Sequence, residues 1–213
     1  MENGGAASCP IEQMKIEWHA TTPRRFVCAQ GCMCCCTSTM FLPSETGRLA
    51  PEKRQLLRWR NGVLSPVSGE HGICVFFDKD APLHCTIFER RPLRCRLYPF
   101  LPVVERGRIV ILADPFVAIG TETNRPGWLR CYGLGQGPDV TDQVEELARE
   151  FLTRVLKEQP DFLISYLCVD DAESLILPLE VEKHRHPVVP SWNEELVREE
   201  ARREQAVAGT SFV

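Results

Sequence analysis

The stretch that most constrains how this chain can fold is Phe26–Cys36, FVCAQGCMCCC, which sets Cys28, Cys32, Cys34, Cys35 and Cys36 almost side by side. Six more cysteines, at Cys9, Cys74, Cys85, Cys95, Cys131 and Cys168, bring the total to 11. Thiols this dense must be paired, ligated or held apart, and each choice restricts the backbone. The odd total and the run of three consecutive cysteines make a poor disulfide framework. The first residues, MENGGAASCPIEQ, carry no basic n-region and no apolar h-region, so the expected location is the cytoplasm. In a reducing compartment clustered cysteines serve metal or redox chemistry.

A chain of 213 residues with 44% hydrophobic and 25% charged residues can bury a sizeable core. Its longest apolar runs, ICVFF, IVILA and FVAIG, have strand length. None approaches the roughly 18–20 residues of a membrane span. The net charge of −4 hides an asymmetry. Residues 1–138 hold 17 Lys and Arg against 12 Asp and Glu, a surplus of five. Residues 139–213 hold 8 against 17, a deficit of nine. Ligating cysteines lose a proton, so part of the basic surplus serves as counter-charge for metal thiolates. The competing explanation is a surface for an anion, a nucleic acid or an acidic partner. Nucleic acid is not the expectation here, and any protein partner or substrate stays unnamed.

The expected class is α+β, with an irregular cysteine-rich core stapled by metal, short β-hairpins and C-terminal helices. The expected divisions are an N-terminal segment (1–25), a cysteine-cluster domain (26–138), a helical section packing on it (139–176), and a linker with a charged C-terminal helix (177–213). One short element is expected near Ile11–Trp18. Ser44–Gly62 reads as a helix, with Pro51 in its first turn and Asn61-Gly62 as a stop. Arg54, Arg58 and Arg60 give it a basic, solvated face. Gly72–Phe77 and His84–Phe88 read as two strands, and Phe100–Val104 with Arg108–Ala113 as a hairpin around Glu105-Arg106-Gly107. Asp114–Pro138 reads as a long irregular section pinned by Cys131. The glycine-rich GLGQG within it reads as a flexible turn.

Asp139–Glu158 has Val144, Leu147, Ala148, Phe151, Leu152, Val155 and Leu156 at helical spacing. A shorter helix is expected over Asp161–Val169, with Phe162, Leu163, Tyr166 and Leu167 on its apolar side and Cys168 as a small buried hydrophobe. Ser191 and Glu194 form a capping-box pattern before the last, highly charged helix. His19, His184 and His186 read as ordinary surface residues. His71 and His84, near Cys74 and Cys85, are ligands, donors behind a ligand, or packing residues.

Thiolate suits zinc and iron–sulfur clusters, and a closed site takes four protein ligands. Cys28, Cys32, Cys35 and Cys36 offer one group, and Cys74, Cys85, Cys95 and Cys131 a second. Eight thiols close two sites, or one site with spare cysteines nearby. Zinc ribbons usually show two C-x2-C knuckles, whereas only Cys32 and Cys35 form one here. An iron–sulfur centre therefore fits better, with Zn2+ as the alternative.

The motif F-x-C-x3-C-x2-C-C, at Phe26, Cys28, Cys32, Cys35 and Cys36, resembles the YkgJ-type cysteine-cluster family. That family is described as a zinc- or iron-chelating domain and is related to the flagellin lysine methylases. The resemblance continues through G-x-C-x-F at Gly72, Cys74 and Phe76. It then runs from Cys85 through Arg91-Pro92, Cys95-Arg96 and Tyr98-Pro99-Phe100 to Cys131, near Gly133. It implies a metal cluster of the 4Fe–4S type. Cys34 departs from the motif, and is either a bystander or a substitute for a neighbouring ligand.

Around Cys95, the cations Arg90, Arg91, Arg94 and Arg96 would favour thiolate and offset a negatively charged cluster. Arg91, Arg94 and Arg96 are thus expected to support the cofactor, and an anion site for a carboxylate or phosphate is an addition to that role. Three functions follow. The chain is an iron–sulfur protein for electron transfer or protein modification, or a zinc-stapled interaction domain. The third is an S-adenosylmethionine enzyme, suggested by the Cys28-x3-Cys32-x2-Cys35 spacing and by the methylase relationship. Against it, the serial strand–helix repeats of a barrel are missing, as is a convincing glycine-rich cofactor loop.

Overall fold

A computed structural model describes residues 10–28, 39–60, 62–67, 74–114, 131 and 133–170. Cys9, Cys32, Cys34, Cys35, Cys36, His71, the 177–213 linker and the last helix lie outside the described residues. Over the described residues the architecture is α+β: a four-stranded mixed sheet, two two-stranded ribbons, one long helix and several short helical turns.

The sheet is built on the hairpin of β5 (Phe100–Glu105) and β6 (Arg108–Ala113), paired from Phe100↔Ala113 to Glu105↔Arg108. Its two-residue turn has positive φ at both Arg106 (48°) and Gly107 (77°). That backbone twist matches the twist of the strands it joins. β1 (Ile16–Trp18) adds parallel to β6, and β8 (Cys168–Val169) adds parallel to β5. The chain before β1 forms a short helix, α1 (Pro10–Gln13). The Arg149 guanidinium donates to the carbonyls of Ile11, Glu12 and Met14 at 3.0, 2.8 and 3.0 Å. Arg149 thus supplies a donor where the short helix ends and its carbonyls run out of intrahelical partners.

The long helix, which we label α4 (Thr141–Glu158), begins two residues later than expected because Asp139 ends a strand. Asp139 still caps it, accepting the Thr141 amide at 2.8 Å. Val144, Leu147, Ala148, Phe151, Leu152 and Val155 are buried along one face. They form the main core with Leu93, Leu97, Phe100, Ile109 and Ile111. Each large side chain buried this way contributes about 1.5–3 kcal/mol, so packing outweighs capping in holding the helix.

Three expectations are corrected. Ser44–Gly62 is not one helix, but a 3-10 turn (Pro43–Arg48), a single turn α2 (Pro51–Arg54) and the ribbon β3 (Leu57–Arg60)–β4 (Val63–Pro66). Pro51 forces Ala50 into extended backbone (ψ 149°), which separates the two turns. Gly62, at φ 76°, lies between the paired strands β3 and β4 rather than at a helix stop, and Asn61 lies outside the described residues. Among the described residues, the expected strand pair at 72–77 and 84–88 reduces to the bridge Phe77↔Cys85. Leu83 and His84 have φ of 51° and 55°, so the chain turns where a strand would have to run straight. Finally, Asp161–Val169 is one turn, α5 (Pro160–Phe162), then a wide π-turn (Leu163–Leu167), then β8. Tyr166 and Cys168 are exposed there, against the burial expected of both.

A second apolar cluster gathers Phe41, Leu49, Leu57, Leu64, Phe76 and Ile87, with Cys74 and Cys85 packed against it. Among the described residues, no helix is long and apolar enough to cross a membrane.

Candidate metal centre

Cys28, Cys74, Cys85, Cys95 and Cys131 all line one cavity of about 170 Å3, which lies where the two apolar clusters meet. Five of the eight expected ligands are therefore brought to one place from across a hundred residues of sequence. Among the described residues, no group of three or more His, Cys, Asp or Glu side chains makes a ready-formed metal site. The thiols are set around the cavity wall instead.

The thiols are delivered by a helix, a tight turn and a strand pairing. Cys95 sits on α3 (Leu93–Leu97), whose Leu93 and Leu97 are fully buried. Residues four apart share a helix face, so Cys95, midway between them, projects to the other side and lines the cavity. The buried Glu45 carboxylate clamps the start of α3, accepting the Leu93 amide at 2.7 Å and the Leu42 amide at 2.8 Å. Burial raises the Glu45 pKa, with those two amides pulling the other way. Cys85 follows the tight turn at Leu83-His84 and is fixed by its bridge to Phe77 and by the Thr86 amide on the Phe76 carbonyl at 2.9 Å. The His84 ring contacts the Lys79 carbonyl through Nδ1 at 2.8 Å, and His84 does not line the cavity.

Cys28 and Cys131 are brought together by β2 (Arg25–Phe26) and β7 (Leu134–Asp139), which pair antiparallel. Residues 134–137 of GLGQG are consequently paired strand, entered from a turn at Gly133. The Val27 amide donates to the Gly133 carbonyl at 3.2 Å, and a Cβ on Gly133 would stand 1.6 Å from the Val27 oxygen. Only glycine permits that approach. Nothing in the sequence marked Gly133, because its crowding arises from a partner 106 positions earlier.

The rest of the wall is aromatic and cationic. Phe26, Phe41, Phe76, Phe88, Tyr98 and Phe100 line it, with Phe26–Phe100 and Phe41–Phe76 each edge to face at 6.1 Å. Arg91 lies 3.6 Å over the Phe88 ring and donates from Nε to the Phe88 carbonyl at 2.9 Å. Arg96 is exposed at the cavity, whereas Arg94 does not line it. Arg94 forms a buried ion pair with Asp114 and donates to the Phe100 carbonyl at 3.0 Å, which locks α3 to β5. The first turns of α4 also reach the cavity through Val140, Gln143 and Val144, presenting the positive end of an 18-residue helix. Thiol donors in a surround of two cations and a helix N-terminus fit a thiophilic metal whose ligands carry negative charge. Cys168, on β8, is not part of this wall.

The geometry thus defines a cavity lined by five thiols. Residues 27–120 match the model of the CxxCxxCC family, described as "Putative zinc- or iron-chelating domain". The cysteine-cluster resemblance is borne out over that span, which holds all the expected ligands except Cys131, and the match supports metal binding in general. A 61-residue stretch is 33% identical to the uncharacterized protein MJ0661 of Methanocaldococcus jannaschii, covering 29% of this chain. That match spans 33% of the relative's length. No solved structure matches the chain.

Proposed function

We propose that this chain is an iron–sulfur protein that holds a 4Fe–4S cluster in the cavity and uses it in electron transfer to, or modification of, a protein partner. The carrying observation is the convergence of five widely spaced cysteines on one void of about 170 Å3. A single water needs roughly 10–15 Å3, and a lone Zn2+ closes its tetrahedron with sulfurs about 2.3 Å away. The space suits a multi-atom cluster better than one ion. Cys28 and Thr39, on either side of the remaining cysteines, both line the cavity. Cys36 is three residues from Thr39 and so at most about 11 Å of chain from it, and Cys32 and Cys35 are similarly tethered.

On this reading four of Cys28, Cys32, Cys35, Cys36, Cys74, Cys85, Cys95 and Cys131 hold the cluster. Arg91, Arg96 and the α4 N-terminus offset its charge, and the aromatic wall limits water. A bound cluster supplies one-electron chemistry, its potential set by charge, hydrogen bonds to sulfur and solvent exposure. Cys85, Ile87 and Phe88 also form one wall of a second, more open hollow of about 480 Å3, where a partner would come within one side-chain layer of the site.

Anaerobic purification with iron, zinc and labile-sulfide analysis tests the reading. Iron with sulfide and an absorption band near ~400 nm is the expected result. Zinc alone, without sulfide, replaces it with the zinc-stapled domain.

A further inference from the structure

Thr39 is the described residue that follows the cysteine-rich segment, and its Oγ1 lies 2.7 Å from Cys95 Sγ. The two residues are 56 positions apart and both line the thiol cavity. In a thiol–hydroxyl pair either atom can donate. Once Cys95 ligates a metal it has lost its proton, and the hydroxyl is then the sole donor of the two. The bond becomes charge-assisted, and such bonds are about twice as strong as neutral ones.

We propose that Thr39 is a positioning residue for the metal centre. Its hydroxyl donates to the Cys95 thiolate, orients that ligand, and ties Thr39 to helix α3. This rests on the metal reading above, but holds for iron–sulfur and zinc alike, because both require the thiolate. No proton or electron is exchanged. The hydroxyl keeps its proton and shares it with sulfur.

Loss of such a partner behind a ligand typically costs about 10–100-fold in metal affinity. The experiment compares wild type, Thr39→Val, Thr39→Ser, Cys95→Ala and the Thr39→Val/Cys95→Ala double variant, each as the full chain. All are loaded anaerobically with iron and sulfide, or with zinc, and the metal retained is titrated against a chelator. Circular dichroism reports folding. Thr39→Val is expected to lose metal about 10–100-fold more readily, Thr39→Ser to restore retention, and Thr39→Val to add nothing once Cys95 is gone. In an iron–sulfur form, Thr39→Val also shifts the potential downward, since the lost hydrogen bond stabilised the more negative reduced state. Equal retention in wild type and Thr39→Val overturns the proposal alone. So does an equal loss in the Cys95→Ala background. A wild type that takes up neither metal overturns this proposal and the metal reading together, and is recognised by that result.

Discussion

At the residue scale, the site depends on side chains that are present for what they exclude as much as for what they bind. Gly133 is the clearest case. Gly133→Ala puts a methyl 1.6 Å from the Val27 oxygen, so the β2–β7 contact must open and Cys28 must part from Cys131. We expect a loss of about 1–3 kcal/mol and a several-fold fall in retained metal, measured by denaturation and metal analysis. Gly135→Ala is the control. Its nearest neighbour is 4.0 Å away, so only its positive φ of 84° is offended, for about 1 kcal/mol with metal retained. Glu45 makes a second prediction. Burial raises its pKa, so the folded state binds that proton more tightly than the unfolded chain does. Its contribution is full below the ordinary carboxylate value and is lost as pH rises through the raised one. Glu45→Gln leaves one of the Leu42 and Leu93 amides without an acceptor, costing about 1–3 kcal/mol. The wild-type advantage over Glu45→Gln should shrink as pH rises from the ordinary carboxylate value through the raised one and then level off; an advantage that grows with pH contradicts the assignment. The cysteines themselves were legible in the sequence because thiol chemistry is a property of the residue. Thr39, Glu45 and Gly133 were not, because each takes its role from a partner at least 48 positions distant, or, for Glu45, partly so.

Among the elements, legibility followed how far local pattern outweighs tertiary context. α4 has a continuous apolar stripe, and the β5–β6 hairpin has a two-residue Arg106-Gly107 turn, so both were read correctly apart from their ends. Phe151, 1% exposed at the centre of the α4 face, anchors that helix against β5 and β6. Phe151→Ala is expected to cost about 3–5 kcal/mol in a denaturant titration. A cost below about 1 kcal/mol would mean that α4 does not organise the core. The Ser44–Gly62 segment misled because its leucines suit either period. Leu49, Leu57 and Leu64 meet in the second cluster only after the chain has turned at Pro51 and Gly62. The turn at Leu83 could not be recognised either, since leucine rarely adopts positive φ.

For the molecule as a whole, the thiol cavity joins two apolar clusters, and its wall draws Leu147 and Phe100 from one and Phe41, Phe76 and Ile87 from the other. A metal bound there by thiols from both sides is part of the folding free energy. Calorimetry should show one cooperative transition for loaded protein. After anaerobic chelation the second cluster should melt first and separately from the α4 core. A single transition at an unchanged temperature would show that the clusters do not depend on the metal. The sequence by itself determined the thiol content, the α+β class, the long helix and the central hairpin, because these follow from residue type and near-neighbour spacing. Only the tertiary structure decided that Cys28, Cys74, Cys85, Cys95 and Cys131 share one cavity, that Arg91 and Arg96 line it while Arg94 is held by Asp114, and that α4 turns its positive end towards it. The reason is physical: convergence is set by pairings such as β2 with β7, whose strands lie more than a hundred residues apart, and no local pattern encodes the meeting of two such distant segments.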